Sequence, residues 1–226
     1  MGNKLNYFYG ILCKFGWKPS LPEFIVEHTE FMQLFDKVKS RALLGIERAF
    51  LLYQFAKQAK NVFGDVVEVG VYRGGGAMLI ADAMKGSDKA IHLFDTFEGM
   101  PEVDSKEDNT NYMKKGLYAD TNLNEVKNFL SEFKGIEFYK GFFPKTAQPI
   151  VNKKFCFVHI DTDIYQSTKA CLEFFYNKMN PKGIIVCDDY GNPDVKGVKK
   201  AVDGFFENKK EFPINSTQYQ CVIIKL

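Results

Sequence analysis

The chain has 226 residues, 46% hydrophobic and 26% charged, with a formal charge of +2; that is long enough for one large domain with its own core and too evenly charged for a nucleic-acid or membrane footprint. Its arginines are Arg41, Arg48 and Arg73 alone, which also argues against bidentate reading of phosphates and bases. Of the cysteines, Cys156, Cys171, Cys187 and Cys221 fall in apolar segments without CxxC or metal-ligand spacing, as small buried residues of a reducing compartment do, and since no apolar run could span a bilayer a cytoplasmic protein is expected.

The opening LNYFYGILCKFGW (5–17) lacks the basic start, apolar block and cleavage site of a signal peptide, and residues 1–42 are read as a helical arm or cap packed on the body. Residues 43–60 carry Leu43, Ile46, Phe50 and Tyr53 at helical spacing. GDVVEVG (64–70) reads as a short buried strand, GAMLIADAMK (76–85) as a helix and KAIHLFD (89–95) as a second strand. The polar, aperiodic stretch that follows is expected to form a lid inserted at 98–120. Asn122 is placed to cap a helix with Glu125 three residues on, and Leu123, Val126, Leu130 and Phe133 give that helix one apolar face. IEFYKG (136–141) and FCFVHID (155–161) are the third and fourth strands. QSTKACLEFFYNKM (166–179) is a helix with Met179 in register, stopped by Asn180-Pro181. GIIVCDD (183–189) is the fifth strand, VKGVKKAVDGFFEN (195–208) the last helix, and FPINSTQ (212–218) and YQCVIIKL (219–226) are closing strands. This alternation predicts an α/β fold over 43–226: a doubly wound, mostly parallel sheet with helices on both faces and a closing antiparallel strand.

Such sheets bind ligands beyond the carboxyl ends of their strands. Read in order, those ends carry Glu68 and Gly70, then Asp95, then Gly141, then Asp161 and Asp163, then Asp188 and Asp189. The first loop is not GxGxxG, because Tyr72 stands where a dinucleotide loop needs a glycine, and no Gly-Lys-Ser/Thr follows as in a P-loop. What remains, Glu68, Gly70 and Gly74, suits a ligand without phosphate: an acid for an ammonium group, glycines for close backbone approach, and Asp95 for the two hydroxyls of a ribose. S-adenosylmethionine fits these requirements, with Val69 and Tyr72 flanking the loop and Gly141 and Phe142 beyond the third strand completing the expected contacts. Arg73 is a contact for the ligand's carboxylate or a surface residue of the loop, and is left outside the site.

Neighbouring strands lie about 5 Å apart, so Asp161, Asp188 and Asp189 are expected to converge and to need a cation among them. An all-oxygen set suits Mg²⁺. Asp161 and Asp163 are the candidate bases, with a helix-capping role for Asp163 left open. His159 is a ligand, a base or a buried support. The HIDTD run also resembles the DxD of metal-dependent glycosyltransferases, which is one rival reading; a non-catalytic S-adenosylmethionine-binding protein is another. The DxDxT of aspartyl-phosphate phosphatases fails at Tyr165.

GDVVEVGVYRGG, FDTFEGMP, GFFPKT, HIDTDIYQSTKACLE, KGIIVCDDYG and GVKKAVDGFF, in that order and spacing, resemble the macrocin O-methyltransferase (TylF-like) family. The resemblance implies the class I methyltransferase (Rossmann-like) fold, S-adenosylmethionine as donor, Mg²⁺ as helper, a sugar hydroxyl on a glycosylated small molecule as acceptor, and a homo-oligomer. It matches Glu68, Gly70 and Asp95 to the donor-binding positions and Asp161, Asp188 and Asp189 to the metal positions.

Overall fold

A computed structural model describes residues 22–226. The part of the N-terminal arm before residue 22 lies outside the described residues. Within them, α1 (Glu23–Val26) and α2 (Thr29–Val38) precede α3 (Ile46–Ala59), β1 (Asp65–Val69), α4 (Gly75–Ala83) and β2 (Ile91–Asp95). Then come α5 (Leu123–Phe129), β3 (Ile136–Lys140), β4 (Phe155–Ile160), α6 (Tyr165–Phe175), β5 (Met179–Asp188), α7 (Lys196–Phe206), β6 (Ile214–Thr217) and β7 (Gln220–Ile224).

The strands form one sheet in the order β3-β2-β1-β4-β5-β7-β6. Strands β1 to β5 are parallel, and β7 runs antiparallel between β5 and β6. The order reverses between β1 and β4, which opens a crevice at their carboxyl ends. Because successive side chains point to opposite faces, the apolar runs feed two cores. Val66, Ile184 and Val186 pack with Phe31, Phe50 and Leu79 from α2, α3 and α4. Val67, Ile185 and Cys187 pack with Phe175 and Val202 from α6 and α7. Covering on both faces is why these strands read as continuous apolar runs. The four described cysteines are free and buried.

Asn122 accepts from the backbone N–H groups of Asn124 and Glu125, as its position predicts. The helix expected over 166–179 ends sooner. After Phe175 the chain makes a 3-10 turn at Tyr176–Lys178, and β5 already starts at Met179. Asn180 and Pro181 therefore lie in the entrance of β5, beside a register shift in β4, where the ring's missing N–H is tolerated.

The insertion between β2 and α5 has neither helix nor strand, yet it is packed. Met100, Met113, Ile164 and Val195 form a small core of their own, with Val103, Leu117 and Tyr118 against it. Backbone bonds from Met100 to Leu117 and from Gly116 back to Met100 close the segment on itself.

Candidate active site

The Gly70 position is dictated by backbone proximity. Its φ is +93°, and a Cβ there would lie 1.7 Å from the Asp161 carbonyl oxygen. The turn leaving β1 thus touches the turn leaving β4, and Asp161 N–H donates to the Val69 carbonyl at 2.9 Å. Gly74, at left-handed φ, is the N-cap of α4. Gly76 leaves space for Glu68, whose Oε1 would be 2.3 Å from an added Cβ.

Glu68 is buried on the α4 side, not solvated at the rim. Its Oε1 lies 2.9 Å from His159 Nδ1, in direct register across β1 and β4. Burial, with the Asp95 charge, pushes the Glu68 carboxyl well up, and burial pushes the His159 imidazole down to about 4. Glu68 Oε2 and His159 Nε2 have no partner among the described residues.

Asp95 is a fixed anchor. One oxygen accepts from the N–H groups of Val71 at 2.8 Å and Tyr72 at 2.9 Å, and the other from Phe97 at 2.6 Å. Tyr72, at φ 50°, sends its hydroxyl to Asp120 at 3.0 Å, while Thr121 donates to the Tyr72 carbonyl. Arg73 pairs with the Asp120 carboxylate. The loop after β1 is therefore latched at one end by β2 and at the other by the end of the insertion.

At β4 and β5 the geometry differs from the expected trio. Asp161, Asp163 and Asp189 each place an oxygen within 4.8 Å of the others. Asp163 and Asp189 reach this cluster through left-handed backbone, φ 60° and 58°. Asp188 turns aside: it accepts from Arg48 Nη1 at 2.5 Å and from Gln220 Nε2 at 3.2 Å. Arg48 is also 3.4 Å from Asp189 and donates to the Leu43 carbonyl at 3.0 Å. Asn192 steadies Asp189 at 2.9 Å.

Burial pushes the Asp161 carboxyl up to about 7, with Asp189 adding to the rise and His159 and Arg48 opposing it. Asp163 is pushed well above the carboxylate range by burial and by the charges of Asp161 and Asp189. Burial raises Asp188 too, despite its ion pair. Burial works against the Arg48 charge, but Asp188, Asp189, Asp161 and Asp163 override it and hold the guanidinium above its ordinary value.

The three oxygens are near enough for a hard cation to gather them. Metal–oxygen bonds of about 2.1 Å in an octahedron put adjacent oxygens about 3.0 Å apart and opposite ones about 4.2 Å apart. Asp188 and Asp189 share the half-buried Arg48 guanidinium, whereas Asp161 and Asp163 have no basic side chain bonded to them among the described residues, so a cation would compete with the protons that burial favours there.

These groups share a cavity of about 420 Å³. Glu68, Val69, Gly70, Tyr72, Asp95, Gly141 and Phe142 line one part of it. Asp161, Asp163, Asp188 and Asp189 line another, with Arg48 and Asn192. Met100, Tyr112, Met113 and Tyr118 from the insertion, and Arg41 to Leu44 ahead of α3, add further wall. Gly74, Arg73 and His159 are not in the wall; Gly74 shapes the loop and His159 holds Glu68. Arg48 and Gln220 were not legible in the sequence because they gain their roles through contacts with distant segments, and Asn192 because its hold on Asp189 depends on the left-handed turn between them.

The family model described as Macrocin-O-methyltransferase (TylF) matches residues 41–225. The chain is 27% identical over 144 residues to the 8-demethyl-8-(2,3-dimethoxy-alpha-L-rhamnosyl)-tetracenomycin-C 4'-O-methyltransferase of Streptomyces olivaceus, a match covering 58% of this chain and 55% of that protein. It is 26% identical over 165 residues to the demethyldecarbamoylnovobiocin O-methyltransferase of Streptomyces niveus, covering 67% of this chain and 63% of that one. The matches thus span less than two thirds of these relatives' lengths. Among solved structures, the O-methyltransferase NovP superposes with a TM-score of 0.69 at 26% identity over 82% of each chain. No described helix is long and apolar enough to cross a membrane.

Proposed function

The chain belongs to the macrocin O-methyltransferase (TylF) family and has the class I methyltransferase fold, and from that premise we propose that it is an S-adenosylmethionine- and Mg²⁺-dependent O-methyltransferase acting on a hydroxyl of a sugar or glycosylated small molecule. The observation that carries this reading is one cavity in which the loop after β1 faces the carboxylate cluster of β4 and β5. The curated relatives named above, both O-methyltransferases, support the acceptor class.

In this reading the unpartnered Glu68 Oε2 accepts from the donor's ammonium group. Asp95 keeps one lone pair, on Oδ1, for a ribose hydroxyl after holding the loop. Tyr112 and Tyr118 offer aromatic faces to a sugar ring. Asp161, Asp163 and Asp189 would hold Mg²⁺, with Asp188 kept alongside by Arg48. When bound, the cation supplies charge neutralisation and lowers a hydroxyl's pKa. Asp161 or Asp163 takes the acceptor's proton. The oxygen's lone pair forms the new C–O bond as the methyl–sulfur bond breaks, and S-adenosylhomocysteine leaves neutral. The remaining work is alignment and exclusion of water by the insertion. A cytoplasmic homo-oligomer accompanies this reading, and size-exclusion chromatography tests the oligomer.

The test joins binding to turnover. S-adenosylhomocysteine should raise the melting temperature with or without EDTA, while methyl transfer to a panel of glycosylated acceptors should stop in EDTA and return with Mg²⁺. Stabilisation by a nucleotide-sugar and not by S-adenosylhomocysteine would favour a glycosyltransferase instead.

A further inference from the structure

Helix α6 starts at Tyr165, and the residue before it, Ile164, has no side chain able to cap the helix. The missing cap comes from the insertion. Asp108 Oδ1 accepts the Tyr165 N–H at 2.9 Å, across 57 positions of sequence. Asp108 is 4% exposed. It reaches this place because position 197, at the start of α7, is glycine: a Cβ there would lie 1.8 Å from Asp108 Oδ1. Ile164 and Val195 on either side pack with Met100 and Met113 of the insertion. Glu107, the neighbour of Asp108, pairs with Lys200 on α7.

The segment that Asp108 holds is the one that presents the candidate base. Asp163 is the middle of a three-residue turn closed by Ile164 N–H donating to the Thr162 carbonyl at 2.7 Å, with Asp163 at φ 60°. A turn of that kind is strained and persists only when its surroundings hold it. On one side Thr162 touches Thr168 of α6 at 3.1 Å; on the other the chain enters α6 at the amide that Asp108 caps.

The geometry points to Asp108 as a positioning residue: it ties the insertion over the acceptor side of the cavity to the Asp161–Asp163 turn, so that the turn takes its working shape when the insertion is seated. This rests on the functional reading above only for what the turn does, not for the tie itself. The insertion is then a template for the rim as well as a wall against water. Carboxylate at a helix N-terminus is favourable for the helix dipole as well as for the cap.

The experiment uses the full chain without acceptor. Hydrogen–deuterium exchange of Asp108→Ala should be about tenfold faster in peptides covering 161–166 and 100–117, the local opening expected from loss of a capping bond and its packing. Peptides of β1 and β5 should be unchanged. Asp108→Asn retains the acceptor oxygen and should exchange like the parent. Gly197→Ala, which displaces Asp108 from the other side, should reproduce the Asp108→Ala pattern. Unchanged exchange at 161–166 in both Asp108→Ala and Gly197→Ala would overturn the proposal, as would failure of Asp108→Asn to restore the parent pattern.

A second arm measures Mn²⁺ by electron paramagnetic resonance and S-adenosylhomocysteine by calorimetry. Asp108→Ala should weaken Mn²⁺ about tenfold and leave S-adenosylhomocysteine within about twofold. Equal losses of both would reduce Asp108 to general structural support and overturn the positioning role. If the parent protein bound no Mn²⁺, the metal reading would fall, and the exchange pattern alone would decide the tie.

Discussion

Arg48 donates to Asp188, approaches Asp189, and is bonded through its own backbone carbonyl to Gln220. Asp188 is 3% exposed, so removing its cation strands a buried charge. Arg48→Met should therefore cost about 3–5 kcal/mol in denaturant unfolding, the usual penalty for breaking a buried pair from one side. The loss should shrink at acidic pH, because Asp188 is already pushed up and can neutralise itself by protonation; a loss independent of pH would mean that Arg48 acts through packing. Asp95 makes a different prediction. Its carboxylate holds three backbone N–H groups of two loops, and it is expected to meet the donor. Asp95→Ala should weaken S-adenosylhomocysteine by about 1.5–3 kcal/mol, the range for hydrogen bonds to a charged group. Calorimetry showing unchanged affinity in a folded variant would remove Asp95 from the donor site.

Among the elements, the insertion is the one whose stability is its own. Met113 is 1% exposed in a core of few side chains that is separate from the two cores flanking the sheet. Met113→Ala should open the 101–118 segment to limited proteolysis while leaving the global melting temperature nearly unchanged, since local and global opening are distinct processes. A matching fall in melting temperature would show that the insertion folds with the body. This small core was hidden in the sequence because Met100, Met113, Ile164 and Val195 come from separate segments and obey no period. Asp108 sits in the same polar stretch and reads as solvated until α6 and α7 are placed around it. The strands were legible for the opposite reason: burial on both faces makes each a short apolar block, and the acids at 68, 95, 161 and 188 mark where each block ends. Which acids converge was not legible, because left-handed turns at Asp163 and Asp189 redirect their side chains. Position along a strand does not report such a turn.

For the molecule as a whole, the carboxylate rim makes stability depend on pH. Asp161 is pushed up to about 7 and Asp163 lies well above its ordinary range. The folded protein thus keeps protons that the unfolded chain releases near pH 4, and without a cation its stability should fall as pH rises from about 4 through about 7. Mg²⁺ should reverse that trend, raising the melting temperature more at about pH 8 than at about pH 5.5, where protons compete for the same oxygens. An equal shift at both pH values would separate these acids from metal binding. The rim is also assembled from very distant parts of the chain: Arg48 meets Asp188 across 140 positions and Gln220 across 172, and β7, which brings Gln220, inserts between β5 and β6. Contacts of such separation carry a large loop-closure cost and slow folding. The acid rim is therefore a checkpoint on the history of each molecule: its Arg48–Asp188–Gln220 tie closes only when β7 has joined the sheet, and in a refolding experiment circular dichroism should recover before Mn²⁺ binding does.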